Sequence, residues 1–236
     1  MKYIRKMIRK LMTKIPFPKR SLCKILKSRT EIDECSRDLY LRGFVSHGVS
    51  CKDWDLAHII PEIKDGNFLD MGSSDSYILK NLSFKRIHGE LYGIDLRKPN
   101  VPVKGVKYSV GDLMDTGLPS NYFKNITCLS VIEHEVDFDK FAREASRLLQ
   151  DKGKLFVTFD YWDPKIALPI KLYDLDWQIL DRQAVKYLIA AAEHYNLYPI
   201  QDMDWTIGDA VITDGYYSPH PEVSYTFGLV TFEKRI

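Results

Sequence analysis

The sequence predicts an α/β fold: a seven-stranded, mostly parallel sheet with helices on both faces and an antiparallel edge strand. Three observations lead there. Short runs of apolar, β-branched and aromatic residues alternate with segments of helical period between residues 67 and 194, and strands that alternate with helices of that length pair in parallel. The first two apolar runs each end in an acid, Asp70 and Asp95, and the first breaks at once into a turn of glycine and serines. The last two runs, residues 200–205 and 225–233, read as a hairpin at a sheet edge.

Taken in order, the elements begin with a helix over residues 1–15. Ile4, Met7, Ile8, Leu11, Met12 and Ile15 share one face, and Lys2, Arg5, Lys6, Arg9, Lys10 and Lys14 the other. Pro16 and Pro18 stop it. Residues 1–30 are expected to be this helix and a linker, and residues 31–236 the folded domain. Residues 31–64 should supply helices and a loop, with Trp54, Leu56, Ile59 and Ile60 turned inward. Strands are expected at 67–71, 90–94, 106–110, 126–131 and 154–159, and helices at 76–82, 137–150 and 181–194. Gly153 stands where a helix C-terminus needs a left-handed residue. Val185, Leu188, Ile189 and Ala192 form the inner face of the last helix.

Size and charge exclude several classes. A chain of 236 residues is long enough for one large α/β domain and short for two. Residues 1–29 hold eleven of the 34 basic residues and no acid, so the remainder carries a net charge of about −9. An acidic body lacks the basic stripe that nucleic acid needs, and no nucleic-acid partner is expected. Cys23, Cys35, Cys51 and Cys128 are scattered without a C-x-x-C pair, which fits a reducing compartment and a cytoplasmic location. The basic helix at 1–15 either lies on an anionic membrane surface, placing the protein at the membrane's cytoplasmic face, or packs on the domain.

The chemistry sits at the strand ends. A glycine turn after one strand lets a ligand approach the backbone, and an acid ending the next strand accepts hydrogen bonds from two ribose hydroxyls. The turn lacks GxGxxG, and Asp70 would repel a phosphate, so a cationic nucleoside suits it better. The competing readings are ordinary ones: Asp70 as a helix cap, Asp95 and Asp112 as turn acids.

Four segments carry a further resemblance: FLDMGSSDS at 68–76, LYGIDL at 91–96, VGDLMDTGLP at 110–119, and ITCLSVIEHEVDFDKFAREASRLLQDKGKLFVTF at 126–159. Their order resembles class I S-adenosylmethionine-dependent methyltransferases of the small-molecule type, which are Rossmann-like. The resemblance implies S-adenosyl-L-methionine as cofactor. It places Asp70 near the ligand ammonium, Gly72 beside the amino-acid end, and Asp95 on the ribose with Leu96 following it. Asp112 then accepts from the adenine amino group, Leu113 lies beside the ring, and Ser130 lies near the methionine portion. The family usually has further glycines where this chain has Ser74 and Ser76. A serine forced to positive φ would strain the turn, whereas its hydroxyl could bond the ligand carboxylate.

The Glu133–His134 pair after the fourth strand is the catalytic clue, with His134 accepting a hydroxyl proton. Some relatives hold a divalent metal with E-x-x-E-H; here Ser130 takes the first glutamate position. That leaves Glu133, His134 and a distant His220, and no metal is expected. Aromatic and acidic residues crowd 160–177 and 205–221, where Tyr216, Tyr217 and His220 are acceptor-site candidates. Such loops suit a saccharide, or else pack against a second subunit in a homodimer. The sequence therefore predicts a methyltransferase for a small-molecule hydroxyl, a saccharide or lipid-linked glycan intermediate. The alternatives are O- or C-methylation of a quinone or aromatic precursor, and a non-catalytic scaffold that binds cofactor weakly.

Overall fold

A computed structural model describes residues 18–85, 87–167, 170–213 and 223–236. The helix expected over 1–15, and Tyr216, Tyr217 and His220, lie outside the described residues. The strands are β1 (Lys24–Ile25), β2 (Phe68–Met71), β3 (Leu91–Asp95), β4 (Val106–Val110), β5 (Phe123–Leu129), β6 (Leu149–Tyr161), β7 (Ile170–Leu172), β8 (Leu175–Trp177), β9 (Leu197–Pro199) and β10 (Thr226–Lys234). The α-helices are α1 (Arg29–Arg42), α2 (Asp53–Ile59), α3 (Tyr77–Lys85), α4 (Phe138–Leu148) and α5 (Arg182–His194). Ser28, Asp137 and Asp181 cap α1, α4 and α5 with side-chain oxygens on first-turn amides.

The main sheet runs β1-β10-β6-β5-β2-β3-β4, with β9 also on β10. Pairings among β2 to β6 are parallel, and β10 runs antiparallel to β6, β9 and β1. This is the expected Rossmann-like arrangement, with eight strands in place of seven. The eighth is β1, inside the segment expected to be linker: Leu22, Cys23, Ile25 and Leu26 are buried, because β10 is long enough to pair with β9 at one end and β1 at the other. Alternation along the strands separates two cores. Leu69, Met71, Ile126, Cys128, Leu155 and Val157 face α4 and α5, while Phe68, Phe156, Phe227 and Leu229 face α1, α2 and α3.

Two boundaries differ from expectation for physical reasons. Gly153 does not end a helix. α4 passes into β6 at Leu149, Lys152 takes the left-handed angle (φ 54°), and Gly153 lies within the strand. A Cβ at Gly153 would stand 2.8 Å from the Gln150 carbonyl oxygen, which is why glycine occupies it. The strand expected at 200–205 is Leu197–Pro199 instead; the following residues leave β10 and run beside β1, where Asp204 N donates to the Cys23 carbonyl at 3.0 Å. The fourth parallel strand also stops early, at Leu129, freeing 130–134 as a turn at its tip.

Candidate active site

The register brings the expected cofactor residues to one edge. Asp70 lies opposite Gly93, Asp95 opposite Val110, and Met71 opposite Cys128. The segments that follow β5, β2, β3 and β4 therefore line the carboxyl ends of adjacent parallel strands, the usual crevice of open α/β sheets. In spatial order these are Ser130–His134, Gly72–Ser74, Asp95–Leu96 and Asp112–Leu113.

The glycine turn is built on Gly72 alone. Its φ is +82°, and a Cβ there would meet Val131 Cγ2 at 2.2 Å, so no side chain fits. Its amide and that of Ser73 both donate to the Ile94 carbonyl, at 2.8 and 3.1 Å. Neither Ser74 nor Ser76 adopts positive φ; the turn carries no serine strain. Ser74 N donates to Asp95 Oδ2 at 3.0 Å, and Arg97 N to Oδ1 at 3.0 Å. Two amides thus orient the Asp95 carboxylate, and each oxygen retains a lone pair for a ligand hydroxyl.

Asp70 is 3% exposed beneath this turn. Thr127 Oγ1 donates to it at 2.6 Å, and the Ser76 hydroxyl is its other partner. Ser76, not Asp70, caps α3, accepting from Leu79 N at 3.1 Å. Burial pushes the Asp70 carboxyl up to about 7, and the nearby Asp95 charge adds to the rise. A buried acid next to another acid is a receptor for a cation. Ser73 Oγ is enclosed without a partner beside it, in space that Gly93 leaves open.

Farther along the edge, Leu96 is exposed just past β3. Asp112 is exposed and orders its own turn through Met114 N, at 2.8 Å to Oδ1. Leu113 is half-buried against the core.

At the β5 tip Ser130 takes a left-handed angle (φ 53°). His134 is half-buried, with Nδ1 enclosed and unpartnered. Burial, then the positive charge of Lys52, hold its pKa below the usual 6.5. The β7–β8 hairpin crosses above: the Tyr173 ring stands 5.9 Å from His134, and Arg97 Nη2 donates to the Tyr173 carbonyl at 3.2 Å. Residues 44–52 close the other side. His47 packs on Tyr77 at 4.2 Å, and Asp53 fixes the segment through His47 N at 2.7 Å.

Sequence reasoning missed Lys52 and Asp55, which lie behind Ser130. Every residue of α2 is buried, Asp53 and Asp55 included. The available signal was two acids spaced D-x-D inside an otherwise apolar helix, where charge has no solvent to face. Asp55 and Asp160 sit on the same side of the sheet as Glu133. Burial raises all three, Asp55 to about 6, with neighbouring carboxylates adding to the rise at Glu133 and Asp55. Burial works against a charged Lys52, but Asp55, Asp160 and Glu133 outweigh it and hold the ammonium above its ordinary value.

Residues 69–157 match the family described as methyltransferase domain. No curated protein matches the chain. In fold the chain is similar to phosphoethanolamine N-methyltransferase 2 of Haemonchus contortus in complex with S-adenosyl-L-methionine, at 14% identity and TM-score 0.57, over 89% of this chain and 58% of that one. A second similar structure is an S-adenosylmethionine-dependent methyltransferase of Mesorhizobium loti, at 13% identity and TM-score 0.55, covering 78% and 98% of the two chains. A third is geranyl diphosphate C-methyltransferase of Streptomyces coelicolor A3(2), bound to Mg2+, geranyl diphosphate and S-adenosyl-L-homocysteine, at 13% identity and TM-score 0.52 over 98% of each chain.

Proposed function

Because the chain carries a class I S-adenosylmethionine-dependent methyltransferase domain, we propose that it methylates a hydroxyl of a small molecule, a saccharide or lipid-linked glycan intermediate. The observation that carries the hydroxyl reading is His134. It is a neutral imidazole at neutral pH, with a free enclosed nitrogen, at the strand tip beside the Gly72 turn.

The residues fit the cofactor. Asp70 is a buried carboxyl whose charged neighbour is another acid; a ligand ammonium supplies the missing cation. The Asp95 carboxylate is oriented for two ribose hydroxyls, Asp112 and Leu113 for the adenine edge and face, and Leu96 for the ring's other side. Ser74 and Ser130 border the methionine end. When bound, the cofactor supplies an electrophilic methyl group on a cationic sulfur. His134 then takes the acceptor's proton, and the crevice holds the acceptor oxygen in line, which is where most of the rate arises.

Titration calorimetry with S-adenosylhomocysteine tests the cofactor half of the reading. Asp95→Ala removes both the ribose contacts and the partner of the Ser74 amide, so affinity should fall about 100-fold or more, in line with charged hydrogen bonds worth roughly 1.5–3 kcal/mol each. Equal affinity of the two proteins would refute it. Cell extract incubated with label-bearing cofactor, and analysed by mass spectrometry against the Asp95→Ala control, identifies the acceptor; a methylated amine would overturn the hydroxyl reading.

The proposal extends to a cytoplasmic site of action, on the basis of four free, buried cysteines, to a homodimer, and to contact of residues 1–15 with an anionic membrane. Among the described residues no helix is long and apolar enough to cross one. Sedimentation with anionic vesicles, comparing the native chain with Lys6→Glu/Lys10→Glu/Lys14→Glu, tests the contact; a truncation at residue 31 is unsuitable because it deletes β1. Light scattering reads the dimer.

A further inference from the structure

One cation near the crevice has no part in cofactor binding. Lys52 Nζ hydrogen-bonds Ser130 Oγ, lies 3.9 Å from Asp55 Oδ2, and stands 3.9 Å from the centroid of the Phe227 ring. Its side chain retains 21% exposure, so part of its length reaches the surface. Ser130 accepts one of its three N–H groups, and among the described residues no carboxylate oxygen comes within hydrogen-bond distance.

The surroundings of Lys52 are incompletely satisfied. Asp55 Oδ2 accepts from Thr158 Oγ1 at 3.3 Å, but Asp55 Oδ1 is enclosed with no partner. Glu133 Oε2 is likewise enclosed and unpartnered. Both residues are 1% exposed. His134 Nδ1 is a third such atom at the same strand tip. A purely structural ion pair closes its hydrogen bonds among its own members. Here three orphaned polar atoms belong to residues whose charges or rings interact with one ammonium, and buried polar groups left open in this way call for a polar partner.

We propose that Lys52 is a catalytic residue of the acceptor site: its ammonium receives the acceptor oxygen beside Ser130 and stabilises the negative charge that oxygen gains as its proton leaves, so the acceptor presents a hydroxyl and not an amine. This rests on the methyltransferase reading and deepens it. The acceptor oxygen gives a lone pair to the methyl carbon as the S–CH3 bond breaks and its electron pair stays on sulfur, while the hydroxyl proton passes to His134. One positive charge leaves the sulfonium and one appears on the imidazolium, so charge balances. An amine arrives protonated at neutral pH and meets a like charge that cannot move away, because Asp55, Asp160 and Glu133 hold Lys52 in its charged form.

The test uses 4-nitrophenol, whose ionised form absorbs visible light, titrated against the full chain saturated with S-adenosylhomocysteine. The bound probe should ionise about one pH unit or more lower than the free probe, a tenfold or greater preference for the anion. Lys52→Met should abolish that preference. Should the single variant fail to fold with Asp55 left uncompensated, Lys52→Met/Asp55→Asn removes the pair together and is read the same way. A bound probe that ionises as in free solution, no binding of the probe at all, or an undiminished preference in whichever variant folds overturns the proposal. Calorimetry separates the two readings. Loss of S-adenosylhomocysteine binding by the native chain defeats the methyltransferase reading itself, whereas intact cofactor binding with an unperturbed probe defeats only the role of Lys52.

Discussion

Replacing Asp70 by Asn gives two signals of different origin. Burial lifts the carboxyl from 3.8 to about 7, so between those values the fold binds a proton that the unfolded chain has lost. The sign follows: the ionised carboxylate opposes folding, its cost is absent below the unfolded pKa, grows as pH rises, and levels off above about 7. Three pH units correspond to about 4 kcal/mol, undiluted by solvent because Asp70 is 3% exposed. Asn cannot ionise and escapes that cost, but it weakens the hydrogen bonds from Thr127 and Ser76, at about 1 kcal/mol each. Asp70→Asn should therefore be less stable than the native chain near pH 5 and more stable, by about 2 kcal/mol, near pH 8. Urea unfolding at the two pH values measures this crossing. The variant should also bind S-adenosylhomocysteine about 10- to 100-fold more weakly, since the ligand ammonium loses a buried charged partner. In the native chain at neutral pH, binding should release protons as Asp70 ionises against the ammonium, seen by calorimetry in buffers of different ionisation enthalpy. A stability difference that ignores pH, or cofactor affinity unchanged in the variant, would refute the reasoning.

Three other perturbations probe separate parts of the molecule. His134→Gln should lower turnover about 100- to 10,000-fold, as for loss of a general base, with S-adenosylhomocysteine affinity unchanged. Because burial and Lys52 hold the imidazole below 6.5, the native rate should be level through neutral pH and fall only on acidification; the same assay across pH reads it. Gly72→Ala places a Cβ 2.2 Å from Val131 Cγ2 at φ +82° and should cost about 2–4 kcal/mol in chemical denaturation. Adding Val131→Ala should recover the steric part and leave the backbone strain. Lys234 Nζ donates to the Ser146 and Leu149 carbonyls and to Asn121 Oδ1, at 2.8, 2.8 and 2.9 Å, closing the last turn of α4. Lys234→Met strands those acceptors and should lower stability by about 2–4 kcal/mol, measured by thermal or urea unfolding, without altering cofactor affinity.

The strand tips were legible because their chemistry is local. A strand that ends in Asp and turns at a glycine declares both its period and its stop within a few residues, which is why Asp70, Gly72 and Asp95 could be placed on one edge from sequence, whereas Asp112 was placed there by family resemblance. The helices expected from 137 and from 181 do start there, each capped by that aspartate. Gly153 misled because one signature serves two causes: a glycine after a helix marks a left-handed cap, or a strand too crowded for a Cβ. The crowding comes from Leu149 and Gln150 folding back in β6.

The alternation of short apolar runs with amphipathic segments determined the parallel sheet, and acids at consecutive strand ends are the ground for expecting a nucleoside at its edge. Both are encoded within a turn or two of chain, where periodicity and local hydrogen bonding operate. Tertiary structure alone decided that Ser74 is unstrained, that Lys24 and Ile25 complete the sheet beside β10, and that Lys52 meets Ser130 across 78 residues. Contacts of that separation depend on which surfaces the assembled core leaves for a buried charge, and no nearby residue in the sequence records that outcome.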